Sequence, residues 1–262
     1  MKGLIKAQIY QLLRTRVYYM VMLFFLAFGI LFGSVEYMNG PDELEEWQQL
    51  TASDFATRMQ MIPTLSVMGM AFFAAFMCAD DFNDKTLDHE LLSGRRRTQV
   101  YFSRAIISVT VCVIFSLLMF AVSLVSCTLL EGWGDSIPVS AAVTRILLTV
   151  FPMFRISCFF CMIAYFIKRP GIVFLTIYGL INAIGLLNIN SDHTYVLTGL
   201  NTATQLLHYD EWHVFGLESG VNMIYLTQLD PAFLVRSIIV SLAAGAVYLM
   251  IGYCYFRRDD LA

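Results

Sequence analysis

The chain has 262 residues, 58% of them hydrophobic and 14% charged, with a formal net charge of −3. A soluble domain carries about 25% charged residues, so the composition excludes an ordinary water-soluble globule and points to an integral membrane protein. The near-neutral balance also excludes a bulk polyanion such as nucleic acid as the main partner.

Residues 1–16, MKGLIKAQIYQLLRTR, carry Ile5, Ile9, Leu12 and Leu13 at helical spacing among basic residues. That pattern predicts a helix lying along the inner membrane interface, with a straight extension of the first span into the cytosol as the alternative. No cleavable signal peptide is expected, because the first apolar run is longer than a signal core and no small-residue cleavage site follows it.

A spanning helix needs about 20 apolar residues. Six windows qualify, near Val17–Val35, Met59–Ala79, Ala105–Leu130, Ile146–Ile167, Pro170–Leu187 and Ser237–Phe256. Lipid offers no hydrogen bonds to the backbone, so these runs are expected to be helices, and none shows the alternation of a barrel strand. The fourth window is interrupted by Arg155 and should kink near Pro152. The reading is one all-α transmembrane domain over residues 1–262, with six transmembrane helices.

Basic residues give the orientation. With the N-terminus cytosolic, the inner segments hold Lys2, Lys6, Arg14 and Arg16, then Lys85, Arg95, Arg96, Arg97 and Arg104, then Lys168 and Arg169, then Arg257 and Arg258. The outer segments hold only Arg58, Arg145 and Arg236. This asymmetry predicts that both termini are cytosolic. The first outer loop is acidic (PDELEE, residues 41–46). The long outer stretch 188–236 has Leu197, Leu200, Thr204 and Leu207 at helical spacing, and is expected to form one or two short helices lying at, or dipping into, the outer membrane face, with an exposed loop as the alternative.

Between the second and third windows stands a charged block, residues 80–99, DDFNDKTLDHELLSGRRRTQ, in which nine of twenty positions are charged. Asp81 or Asn83 can cap a helix there, and Asp80, Asp81 and Asp84 suit its positive end. Gly94 is a natural stop, and Thr98 can cap the next helix. Leu87 and Leu91 share a face, with Phe82 nearby. A solvated connector with arginines on lipid phosphates needs no such face. Leu87, Leu91 and Leu92 look like a plug for a groove on a partner, with surrounding charges such as Asp84 and Glu90 setting orientation.

The run CADDFNDKTLDHELLSGRRRTQVYFSRAI resembles the segment joining the second and third spans of ABC-2 type transporter permeases. Asp80 or Asp81 matches the acidic residue that closes the second span there, Thr86 the threonine, Leu91 and Leu92 the leucine pair, Ser93 and Gly94 the turn, Arg97 the arginine and Arg104 the last basic position. Arg95 and Arg96 depart from the pattern, standing where small or apolar residues are usual. The overall plan and the ending YFRRDDLA are similar too, and the ELLSGRRRTQV variant is similar to permeases of small-peptide exporters and lantibiotic-immunity systems. The resemblance implies a bacterial plasma-membrane exporter of peptides or amphiphiles, built from two permease subunits, each docking residues 80–99 in a cleft on a cytosolic ATPase. It implies ATPase-coupling roles for Phe82, Asp84, Thr86, Leu87, Glu90, Leu91, Leu92 and Arg97. The chain has no GxxxxGK[ST] run, so ATP and Mg are expected in the separate ATPase and no cofactor in this chain. The expectation is therefore not an enzyme. A second reading is a membrane sensor or immunity scaffold that binds a partner through the charged helix, and a third is an intramembrane enzyme.

Arg155 lies mid-span, where an arginine costs about 2.5–3.5 kcal/mol and usually faces the interior or a cavity. It is a candidate for the translocation path or the subunit interface, against bonding of carbonyls freed near Pro152. The six cysteines all fall in apolar runs and read as small hydrophobes, and the Cys158/Cys161 pair lacks a second pair at zinc spacing. His208 and His213 flank Asp210 and Glu211, a pattern better explained by a solvated loop than by a metal. Tyr18 and Tyr19 suit the inner aromatic belt, and Trp47 and Trp133 the outer one.

Overall fold

The computed structural model describes residues 2–38, 51–57, 61–83, 92, 94–135, 137–188, 199–207 and 231–258. Among these the chain is all-helical, with no strand. Its elements are α1 (Lys2–Arg14), α2 (Arg16–Met38), α3 (Ala52–Thr57), α4 (Met61–Cys78), α5 (Asp80–Asn83), α6 (Arg97–Glu131), α7 (Val139–Leu148), α8 (Val150–Ile167), α9 (Pro170–Asn188), α10 (Gly199–Leu207) and α11 (Pro231–Arg258).

Each of the six apolar windows is occupied by helix. Three are long and apolar enough to cross a membrane: α6, the α7–α8 pair and α11, and the bent pair α1–α2 makes a fourth if taken together. The described parts of α4 and α9 are shorter apolar helices.

The axes of α1 and α2 differ by 65°. Thr15 makes the corner: its N–H and its hydroxyl both donate to the Gln11 carbonyl, at 3.1 and 2.9 Å. The Tyr19 hydroxyl then donates to the Leu13 carbonyl at 3.1 Å, satisfying a group the ended helix leaves open. The N-terminal helix is thus a separate element and not an extension of α2. Its apolar stripe is divided, however. Leu4 is buried against the bundle, whereas Ile9, Tyr10 and Leu13 are exposed.

α8 is central and packs against α4, α6, α9, α10 and α11. Close approach is made by small residues. A side chain on Gly69 of α4 would strike the Phe115 ring of α6, and one on Gly245 of α11 would meet Phe154 of α8. The Ser123 hydroxyl of α6 donates to the Gly29 carbonyl of α2 at 3.1 Å. Other hydroxyls of α6 bond back into their own helix, as Thr110 does to Ile106 and Thr128 to Leu124. α6 stops at Gly132, which has φ 79° and donates its N–H to the Thr128 carbonyl. The exposed strip after it is stitched to α3 by Ala52 N–H to Gly132 O and Ser53 N–H to Trp133 O.

Three details differ from the sequence expectation. The break in the fourth window falls at Thr149, three residues before Pro152, where the Thr149 hydroxyl turns back to the Ile146 carbonyl at 2.6 Å. Proline cannot donate to the turn before it, so the helix breaks one turn upstream. Asp81 lies inside α5, because the chain runs on from α4 through a single turn at Ala79. Thr98 does not cap α6; Arg96 occupies that place without a side-chain bond, and α6 begins at Arg97. In the 188–236 stretch the structure describes one short helix between α9 and α11, as expected: α10, which buries Ala203, Leu206 and Leu207; residues 189–198 and 208–230, with Leu197, His208 and His213 among them, lie outside the described residues, as does Trp47.

All six cysteines are free, five buried and Cys254 exposed. Cys78 and Cys161 approach to 3.8 Å between sulfurs, and the Cys161 thiol meets the Ser108 hydroxyl at 3.4 Å. Among the described residues no three His, Cys, Asp or Glu side chains cluster as metal ligands.

Candidate functional site: the aromatic hub at the root of the charged block

Of the charged block the structure describes α5, Leu92 and the residues from Gly94 on, and the φ of 82° at Gly94 marks the turn into α6. Asp84, Thr86, Leu87, Glu90 and Leu91 lie outside the described residues. Leu92 is exposed. The two roots, Phe82 and Arg97, are described: Phe82 packs against α8 and α11, and Arg97 is bonded to α11.

Phe82 packs edge-on against Tyr165 of α8, with ring centroids 5.9 Å apart, and against Phe256 of α11 at 6.3 Å. The Lys168 ammonium sits 5.5 Å over the Phe82 ring, a cation–π contact. Lys168 reaches this place because it ends α8 in the left-handed conformation, φ 60°, with its N–H on the Ala164 carbonyl. Tyr101 of α6 completes the cluster, 4.6 Å from Tyr165 and 5.8 Å from Phe256. Its hydroxyl donates to the Leu249 carbonyl of α11 at 2.8 Å, and α11 comes close enough because Gly252 stands beside that hydroxyl.

At the other root, the Arg97 guanidinium donates to the Arg257 carbonyl at 3.1 Å, and the Thr98 and Tyr253 hydroxyls share a hydrogen bond at 2.9 Å. The hub is therefore a joint of rigid rings and four hydrogen-bonding hydroxyls or cations. It holds no nucleophile–base pair. What the arrangement offers is a mechanical link: Phe82 joins the start of the block to α8 and α11, and Arg97 joins its end to α11, through close-packed groups of low compressibility.

Arg155 lies in α8, only 5% exposed, well away in sequence from these roots. Two further arginines, Arg104 and Arg145, are buried to the same degree. Reading the sequence singled out Phe82 and Arg97, and missed Tyr101, Tyr165, Lys168 and Phe256. Span tyrosines and phenylalanines carry no signal of their own in so apolar a chain. The one available hint was two tyrosines, Tyr101 and Tyr165, near the expected cytosolic ends of their windows.

The fold and the hub define an all-helical, membrane-type protein with a charged insertion rooted in its helix bundle. The chain belongs to the family described as "Protein of unknown function (DUF2705)", whose pattern matches residues 7–262. No curated protein matches it.

Proposed function

We propose that this chain is the transmembrane permease subunit of an ATP-driven exporter of the ABC-2 type. It works as a pair of permease subunits with a separate cytosolic ATPase and moves a peptide or amphiphilic substrate out of a bacterial cell. The observation that carries the reading is the rooting of the charged block: Phe82 and Arg97 bind its two ends to α8 and α11. A solvated connector has no need of such a joint, whereas a lever that moves helices does.

Three other features support it. Helix occupies the apolar windows, with three or four helices long and apolar enough to span, and the distribution of basic residues favours cytosolic termini. The bend at Thr15 lets α1 lie along the inner interface while α2 enters the membrane, and its exposed Ile9, Tyr10 and Leu13 suit lipid. α11 exposes an apolar flank, including Val235, Ile239, Leu242 and Val247, which lipid or a second subunit covers. Leu87, Leu91 and Leu92 form the plug for the ATPase groove, with Asp84, Thr86 and Glu90 around it, and Arg155 lines the translocation path.

The test is co-purification with the cognate P-loop ATPase and reconstituted ATP-dependent transport. Leu87→Asp or Leu91→Asp is expected to leave the chain inserted and folded but to break both ATPase binding and transport. Transport retained in both variants overturns the reading. Tight capture of a non-ATPase partner with no transport favours the sensor or scaffold alternative.

A further inference from the structure

A polar cleft lies beneath α1, beside the root of the charged block. It is lined by Gln8, Gln11 and Leu12 of α1, Tyr18 of α2, Phe76 and Met77 at the end of α4, Asp80, and Arg104 of α6. Its composition is unusual for this chain: a cation, an anion, two amides and a phenol meet beside three apolar side chains. The Arg104 side chain is 4% exposed, so the cleft has a deeply set guanidinium, which offers five N–H donors. Both polar atoms of the Gln8 side chain are buried and have no hydrogen-bond partner among the described residues. Burying an amide without a partner is costly, and Gln8 keeps this position although α1 presents other faces to the surroundings.

We propose that the cleft binds the head group of a phospholipid that carries both a phosphate and a primary amine, the chemistry of phosphatidylethanolamine. The Arg104 guanidinium and an amide N–H donate to phosphate oxygens, charge-assisted bonds being the strong ones. The Asp80 carboxylate and the Gln8 carbonyl oxygen accept from the ammonium. Leu12, Phe76 and Met77 contact the glycerol and the first methylenes of the chains. A purely anionic head group leaves Asp80 facing phosphate, and a choline head group has no N–H to donate, so both fit worse. The site rests on the membrane orientation argued above and not on ATPase coupling: α1 along the inner interface puts the cleft at the level of the inner-leaflet head groups.

The test uses the full chain, purified in detergent and stripped of lipid, without ATPase or nucleotide. Its failure therefore leaves the permease reading standing, and a failed coupling assay leaves this site standing. Thermal unfolding is followed while short-chain phosphatidylethanolamine, phosphatidylcholine, phosphatidylglycerol or free phosphoethanolamine is titrated in. Saturable protection by phosphatidylethanolamine is expected at concentrations about tenfold below those of the other two lipids, the scale of one lost charge-assisted contact. Free phosphoethanolamine should not protect in that range; equal protection by it overturns the lipid assignment in favour of a soluble ligand. Gln8→Leu is expected to raise the lipid-free midpoint, because it removes an unpartnered buried amide, and yet to blunt the phosphatidylethanolamine response. Asp80→Asn is expected to erase the preference over phosphatidylglycerol. If Arg104→Gln does not fold, these two variants still decide. Equal protection by all three lipids, or an unchanged response in Gln8→Leu, overturns the proposal.

Discussion

Arg97, in the first turn of α6, donates its guanidinium to the carbonyl oxygen of Arg257, in the last turn of α11, 3.1 Å away. The carbonyl is one of the four that a helix end leaves open, and a cation there also meets the negative end of the helix dipole. One bond thus ties the start of α6 to the end of α11 where the charged block ends.

Arg97→Ala removes that bond and its dipole partner. The expected cost is about 1 kcal/mol of stability, read as a lowered unfolding midpoint in detergent. Arg97→Lys keeps the charge but offers a point donor in place of a planar fork, so it should recover part of the stability. On the lever reading, both variants keep ATPase binding and lower the ATP-driven transport rate, and Ala lowers it more.

Phe82→Leu retains apolar volume and deletes the edge contacts to Tyr165 and Phe256 and the seat of the Lys168 ammonium. Each ring pair contributes about 0.5–1.5 kcal/mol beyond its buried area, so a loss of about 2 kcal/mol is expected. Phe82→Tyr should be nearly silent. Thermal unfolding of the three proteins side by side checks the order.

Gly69→Val sets a branched side chain against the Phe115 ring, which is 2% exposed and already holds Phe25 and Phe73 at centroid distances of 5.9 and 5.0 Å. Overpacking of this kind costs about 1–3 kcal/mol. Gly171→Val, where a side chain meets open space, is the matched control and should be well tolerated. A comparison of folded yield and unfolding midpoint separates them.

Arg155→Leu removes a buried cation from α8. If Arg155 lines the path, transport falls at least about tenfold while insertion improves by about 2.5–3.5 kcal/mol on the membrane scale, and Arg155→Lys restores part of the activity. Unchanged transport in Arg155→Leu removes it from the path.

Much of the architecture was legible because lipid imposes a simple rule: long apolar runs become helices. All six windows did so, and the bend at Thr15 followed from a basic amphipathic segment meeting an apolar one. What escaped notice depends on tertiary packing. Ile9 and Leu13 share spacing with Leu12, but only three-dimensional packing decides that Leu4 faces the bundle and they do not. Arg104 reads as a loop cation because Ala105 opens the apolar window, yet α6 starts at Arg97 and carries it inside. The hub was only half visible. Phe82 and Arg97 stand out among charges, whereas Tyr101, Tyr165 and Phe256 look like any other ring in a chain that is 14% aromatic.

Cys254 gives the molecule a property of practical value. It alone among the six thiols is exposed, and it follows Tyr253 and precedes Phe256 on α11. A membrane-permeant maleimide dye should therefore modify the natural protein at a single position, with no cysteine removed. The fluorophore would sit within one helical turn of the joint, so its emission would report whether the last helix moves together with the charged block.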